Sequence, residues 1–248
     1  MSQPITKPVA LITGGARRIG AQISNALHAR GIDVVVHYRN SGVEARTLCE
    51  QLNQQRQSSA RCIKADLLDD SVSPKLIKQL DDWRPRLSYL VNNASSFYPT
   101  PLGSIDSAAI NDLLGSNLVA PLLLAQAAAA TISANQGCII NVVDVYADRP
   151  LAQHAVYCAA KAGLASVTKS LALELAPDVR VNGIAPGAIL WPENPDHPLS
   201  KADLLEQIPL QRLGQAQDIA DLTCFLALDA PYITGQVIAV DGGRSLVL

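Results

Sequence analysis

Short runs of consecutive apolar residues punctuate the chain, and between them the apolar positions spread out to helical spacing. The runs are PVALIT (8–13), DVVVHY (33–38), CIKAD (62–66), YLVNN (89–93), CIINVV (138–143), VRVNGI (179–184) and QVIAVD (236–241), all rich in Val or Ile. Apolar runs that do not alternate with polar residues indicate strands covered on both faces. Separated by helical stretches, they predict an α/β chain: a Rossmann-type, doubly wound, parallel seven-stranded sheet with helices on both faces. The stretch LVAPLLLAQAAAA (118–130) is apolar almost all round. A helix of that kind must be covered on every side, which points to the sheet on one side and another subunit on the other. WPENPDHP (191–198) holds three prolines and reads as an irregular loop near a site. It falls within a substrate loop placed at 188–208.

No Ser/Gly-rich linker interrupts the 248 residues, so a single domain spanning 1–248 is expected. With 48% hydrophobic and 17% charged residues, the chain can bury an extended core. A formal net charge of -2 supplies no global positive field for nucleic acid or an anionic membrane, so any anion site must be local. Five scattered cysteines without a CxxC pair argue against a disulfide scaffold or structural zinc. The N-terminus lacks a signal-like pattern, and Pro121 and Gln126 break the most apolar later stretch. A reduced, cytoplasmic protein is the resulting expectation.

The first strand leads into TGGARRIG (13–20), followed by an apolar helical pattern at Ile19, Ile23 and Leu27 that Gly31 closes. Small residues at such a turn let backbone amides and the positive helix end approach a pyrophosphate, although many strand–helix turns need glycine for geometry alone. The second strand ends HYRNS (37–41), without the Asp or Glu that would accept from the 2′-hydroxyl of NAD. Arg39 stands there instead, and Arg17 and Arg18 lie in the glycine loop. Any one of them could be a solvated surface charge, but three at these places favour the extra phosphate of NADPH. Tyr157 and Lys161 open a long helical stretch at i,i+4 spacing, which puts both side chains on one face. An ammonium beside a phenol favours its ionised form and would bring the phenol nearer a useful general acid.

Taken in order, TGGARRIG, Asp66, VNNA (91–94), Asn117, Tyr157 with Lys161, VNGIAPG (181–187) and DGG (241–243) resemble the short-chain dehydrogenases/reductases along essentially the whole chain. Within that family the chain is most similar to the pteridine reductases. The shared features are Arg18 where most members have Gly, the HYR strand end, NNASSFYPTP (92–101), and Asp144 where most members have Ser. The resemblance implies proton management by Tyr157 and Asp144, with Lys161 tuning Tyr157 and holding the nicotinamide ribose, and Asn117 supporting a water relay. It also implies an NADPH site built from Gly14, Arg17, Arg18, Ile19, Gly20, His37, Tyr38, Arg39, Asn40, Ser41, Asp66, Leu67, Asn93, Ala94, Ser95, Pro186 and Gly187, together with Tyr157 and Lys161. A pterin would meet Arg18, Ser95, Phe97, Asp144, Tyr157, Gly187, Leu190 and Trp191, with Phe97 stacking on its ring. A homotetramer is implied as well. The chain departs from the best-known pteridine reductases by ending GGRSLVL, without an Arg at the very C-terminus.

Chemically, a planar ring suits the slot between an aromatic side chain and a nicotinamide. A carboxylate at 144 suits a ring bearing N–H donors better than it suits a ketone, although a buried Asp could also simply cap the loop after the fifth strand. Two other functions are open: a 3-oxoacyl carrier-protein reductase or related carbonyl reductase, and a catalytically silent dinucleotide sensor. Asp144 disfavours the first, and intact Tyr157, Lys161 and Asn117 disfavour the second.

Overall fold

The computed structural model describes residues 7–190 and 201–247; Trp191 and the 191–198 loop lie outside them. Seven parallel strands, β1 (Val9–Ile12), β2 (Asp33–Tyr38), β3 (Ala60–Lys64), β4 (Leu87–Asn92), β5 (Cys138–Val142), β6 (Arg180–Pro186) and β7 (Val237–Val240), form one sheet in the order β3-β2-β1-β4-β5-β6-β7. The order reverses between β1 and β4, so the carboxyl ends of these two strands open a crevice, the place where such sheets bind ligands.

Alternate residues of the central strands feed two separate cores. Ala10, Ile12, Val34, Val36 and Ile140 face one side, under α1 (Arg18–Ala29), α2 (Gly42–Gln55) and α8 (Ala216–Cys224). Leu11, Val35, Leu90 and Ile139 face the other, under α3 (Val72–Trp83), α5 (Ala120–Ala134) and α6 (Ala155–Glu174). Two short helices, α4 (Ser107–Leu114) and α7 (Lys201–Glu206), complete the set; α7 occupies part of the predicted substrate loop. Ile23 and Leu27 of α1 are fully buried. Each contributes about 1.5–3 kcal/mol by burial, which is why this helix returns tightly onto the sheet. Gly31, at φ +88°, ends it as expected.

Two strands are corrected. β3 begins two residues before the predicted run and leaves Arg61 and Lys64 exposed, as an edge strand with one neighbour can. β4 likewise starts at Leu87 rather than Tyr89. The stretch Ser107–Ala134 is long and apolar enough to cross a membrane, yet Leu124, Ala125, Ala128 and Ile132 pack on the sheet. Pro121 does not break the helix but directly follows a π-helical turn (Gly115–Val119) inside a helical run that continues to Ala134. Val119 and Leu122 on the outer side remain exposed, so within one chain the helix is covered on one side only.

Candidate active site

The crevice has two ends. At one, β1 passes into the glycine loop. Thr13 Oγ1 accepts from the backbone N–H groups of Asn93 (2.8 Å) and Ala94 (2.9 Å), joining the end of β1 to the end of β4. The Asn93 amide donates to the carbonyls of Thr13 (2.9 Å) and Gly14 (3.2 Å). Asn93 therefore braces the loop with a side chain expected in the cofactor site. His37 does the same from β2: Nδ1 accepts from Gly14 N–H at 3.3 Å, and Nε2 donates to Ala65 O at 3.2 Å. That pattern needs a neutral ring, and burial lowers its pKa to about 4. A Cβ on Gly20 would sit 2.2 Å from Gly14 O, so only glycine lets the helix start this close to the loop.

The N-terminus of α1 has no side-chain cap and no acid in its first turn. Such a helix start presents backbone N–H groups that fit an anion such as a pyrophosphate. Arg18 adopts φ +50°, a conformation that glycine would take more cheaply. Holding an arginine there costs backbone strain. Arg17 and Arg39 are half-exposed, each 3.9 Å from one acid, Glu44 and Asp66 respectively. Tyr38 ends β2, Asn40 and Ser41 lead into α2, and Leu67 is half-buried beside exposed Asp66. The structure therefore brings the glycine loop, the HYRNS end and Asp66 to the same end of the sheet.

At the other end, beyond β5, Asp144 is held twice. Its Oδ1 accepts from Tyr146 N–H at 2.9 Å, capping a single 3-10 turn, and its Oδ2 accepts from the Tyr157 hydroxyl at 2.8 Å. The cap on Tyr146 and the contact with Tyr157 use different oxygens of one carboxyl. Tyr157 and Lys161, 4% and 3% exposed, lie on α6. Lys161 Nζ donates to Val142 O at 2.8 Å and stands 5.8 Å from the Tyr157 ring centroid.

Burial dominates the electrostatics. It raises the Asp144 carboxyl above its usual range against the opposing pull of the Tyr146 N–H, the Tyr157 hydroxyl, Lys161 and Arg244. It lowers Lys161 to about 8. Tyr157 is pushed well above its usual value, first by burial and then by the Asp144 carboxylate. This corrects the expectation that Lys161 brings the phenol down: the ammonium is engaged with a carbonyl, whereas the carboxylate touches the hydroxyl directly. The pair is better suited to holding and passing one proton than to producing a free tyrosinate.

Asn117 sits in a π-helical turn (Gly115–Val119) between α4 and α5 that the sequence pattern did not reveal. Its amide donates to Leu113 O at 3.0 Å, the carbonyl its own N–H would use in an α-helix, and to Ser96 O at 2.9 Å. The turn thereby ties down the NNASS run, while Asn117 Oδ1 is a buried acceptor with no donor among the described residues. Phe97, 54% exposed, stacks on His154 with centroids 4.8 Å apart and meets Tyr157 edge-on, also at 4.8 Å. Ser95 is exposed and Ala94 half-buried on the same run. Buried Pro186 and half-buried Gly187 close the end of β6, where Gly187 N–H donates to Val240 O at 3.0 Å, and Leu190 is exposed two residues beyond Ala188.

The family described as "Enoyl-(Acyl carrier protein) reductase" matches residues 14–245. Pteridine reductase 1 from Leishmania tarentolae is 39% identical, covering 99% of each chain. The chain belongs to the short-chain dehydrogenase/reductase family. It is an oxidoreductase by that membership. Other members of the family are also similar: 3-oxoacyl-[acyl-carrier-protein] reductase FabG from Staphylococcus aureus (strain Mu50) is 35% identical over 94% of this chain and 96% of its own. An uncharacterized oxidoreductase, YmfI, from Bacillus subtilis is 33% identical over 94% and 97%.

Sequence reasoning gave no site role to Thr13, Tyr146, His154 or Arg244. His154 could have been found, since it lies three residues before Tyr157 and so on the same helix face. No local pattern announces Arg244, whose guanidinium reaches Tyr146 98 positions away.

Proposed function

We propose that this short-chain dehydrogenase/reductase is an NADPH-dependent pteridine reductase that converts dihydropterins to the tetrahydro form. The observation that carries the reading is the 2.8 Å bond between Tyr157 and Asp144. In a carbonyl reduction, negative charge develops on the substrate oxygen, and a carboxylate in contact with the donating phenol would oppose it. Reduction of a ring C=N instead delivers hydride to carbon while nitrogen becomes basic, and a proton shared between a carboxyl and a phenol matches that need. The half-exposed face system of Phe97 beside Tyr157 supports a flat aromatic substrate.

NADPH would supply the hydride. The α1 N-terminus and the glycine loop would hold its pyrophosphate, and Arg17, Arg18 and Arg39 its 2′-phosphate. Lys161 would hold the nicotinamide ribose, and Asp66 would contact adenine. Tyr157 passes its proton to the substrate nitrogen as Asp144 O–H replaces it, because a protonated Asp144 reverses the bond and turns the phenol proton outward. Asn117 Oδ1 stands as an acceptor for a water that refills the pair. The exposed Val119, just before α5, and Leu122 on α5 support a homotetramer, which light scattering at micromolar concentration would test.

A carbonyl reductase is the second reading, favoured by the 35% identity to the staphylococcal enzyme. Parallel assays with NADPH and either dihydrobiopterin or an acetoacetyl thioester decide between them. Faster NADPH oxidation on the pterin is expected, and turnover of the thioester alone would overturn the proposal.

A further inference from the structure

At the C-terminal end of β7 the chain makes two left-handed turns, Gly242 (φ +65°) and Gly243 (φ +86°), and then one 3-10 turn, Arg244–Leu246. Asp241 fixes this turn from inside: Oδ1 accepts from Gly243 N–H at 2.9 Å and Oδ2 from Ser245 N–H at 2.7 Å. Arg244 is thereby driven into the protein and is only 6% exposed. Its guanidinium lies 5.7 Å from the Tyr146 ring centroid, donates to the Tyr146 hydroxyl at 3.1 Å, and reaches Gln207 Oε1 at 3.4 Å. Its Nε is buried without a hydrogen-bond partner among the described residues. Among the described residues no carboxylate lies within 4.0 Å of it. Burying a cation so incompletely paired is costly, so a fold that retains it obtains something other than stability.

We propose that Arg244 is a positioning residue for the Asp144–Tyr157 pair: it clamps Tyr146, whose backbone N–H holds Asp144, and ties that turn to Gln207, just after α7. This role rests on the reading of the pair as the proton donor. Asp144 is faced by Tyr157 and Lys161 from α6, by Tyr146 from its own turn, and by Arg244 from the C-terminal turn. Arg244 and Lys161 are the two cations in that set, and both favour the ionised carboxyl.

The test is a ¹³C NMR titration of the Asp144 carboxyl in the full chain, with the signal identified by its loss in Asp144→Asn. Removing a nearby cation makes the carboxyl harder to ionise, so Arg244→Gln should raise its midpoint by about one pH unit, and Arg244→Lys should restore it. In turnover, Arg244→Gln should lower plateau kcat by about tenfold with the KM for NADPH unchanged. Tyr146→Phe removes the clamp's acceptor but keeps the N–H to Asp144, and should lower kcat by about threefold, a second route if Arg244→Gln folds poorly. A midpoint unmoved in Arg244→Gln overturns the proposal, as does loss of kcat in step with loss of NADPH binding and thermal stability. The titration needs no substrate. A chain that shows the Arg244 shift yet reduces no pterin sustains this inference and sinks the proposed function alone.

Discussion

The two ends of the crevice solve different problems with the same kind of residue. At the glycine-loop end, His37 and Asn93 are polar side chains whose hydrogen bonds go to backbone of β1 and its loop and to Ala65, and whose work is shape. The charges there, on Arg17 and Arg39, stay half-exposed. At the β5 end, Tyr157 and Lys161 are buried and Asp144 is half-buried, and every one is moved from its ordinary pKa. Binding a charged, hydrated cofactor needs a rigid cradle with arginines at its rim. Moving a proton needs groups whose ionisation is finely balanced, and burial provides that balance.

The sharpest way to break this contrast is to remove the titrating group at the β5 end. Asp144→Asn keeps size and the cap on Tyr146 but cannot carry the proton, so kcat on pterin should fall by about 10²–10⁴ while NADPH affinity holds. Tyr157→Phe should lower turnover as well, and the double variant should lose less than the sum because the two share one proton. Steady-state kinetics with cofactor titration checks both. Full pterin turnover in Asp144→Asn would leave Asp144 with its capping role only.

The strands at both ends were legible because the central ones are covered on two faces and so read as unbroken apolar runs; β3, at the edge, carries exposed Arg61 and Lys64 and was misplaced. Gly14, Gly20 and Tyr157 with Lys161 were legible because each sits in a local pattern of fixed spacing. What was hidden depends on contacts between distant segments. The direction of the Tyr157 shift follows first from burial under packed neighbours and then from Asp144, 13 residues away, meeting its hydroxyl. The π-helical turn at Asn117 follows from an amide that reaches both Leu113 and Ser96.

The glycine-loop end can be broken by acid. In the unfolded chain His37 takes a proton near its ordinary value of 6.5, whereas in the fold it does so only at about 4. The unfolded state binds more protons between these values, so stability falls as pH drops from 6.5 to 4. One such group contributes about 3 kcal/mol across that window. His28, also lowered by burial, adds in the same direction. His37→Gln should be less stable than the parent at pH 7 but lose less between pH 7 and pH 4, as read by urea unfolding. Identical losses for the two proteins would show that the ring does not carry the loop's acid sensitivity.

Smaller in effect is the rim. Arg39→Ala removes a charge-assisted contact worth roughly 1.5–3 kcal/mol, so NADPH should bind about ten- to a hundredfold more weakly while NADH binding hardly changes. Isothermal titration with both cofactors reads the difference directly. Equal affinity of the parent protein for NADH and NADPH would remove the rim from the account.

His154 gives the smallest effect and the finest test, because it belongs to the β5 end yet acts there through shape. Its ring is stacked on Phe97 at 15° between planes, and Phe97 in turn meets Tyr157 at 79°. The stack holds Phe97 upright beside the reacting hydroxyl. An aromatic pair contributes about 0.5–1.5 kcal/mol, so His154→Ala should raise the KM for pterin by about two- to tenfold as Phe97 loses its fixed orientation. The proton pair is untouched, so kcat and its pH profile should stay as they are, and His154→Phe, which keeps a stacking ring without an ionisable nitrogen, should restore KM. A change in the pH profile in His154→Ala that His154→Phe fails to correct would mean that the imidazole takes part in proton transfer, and the division between a shaping end and a titrating end would then extend to every polar ring around Tyr157.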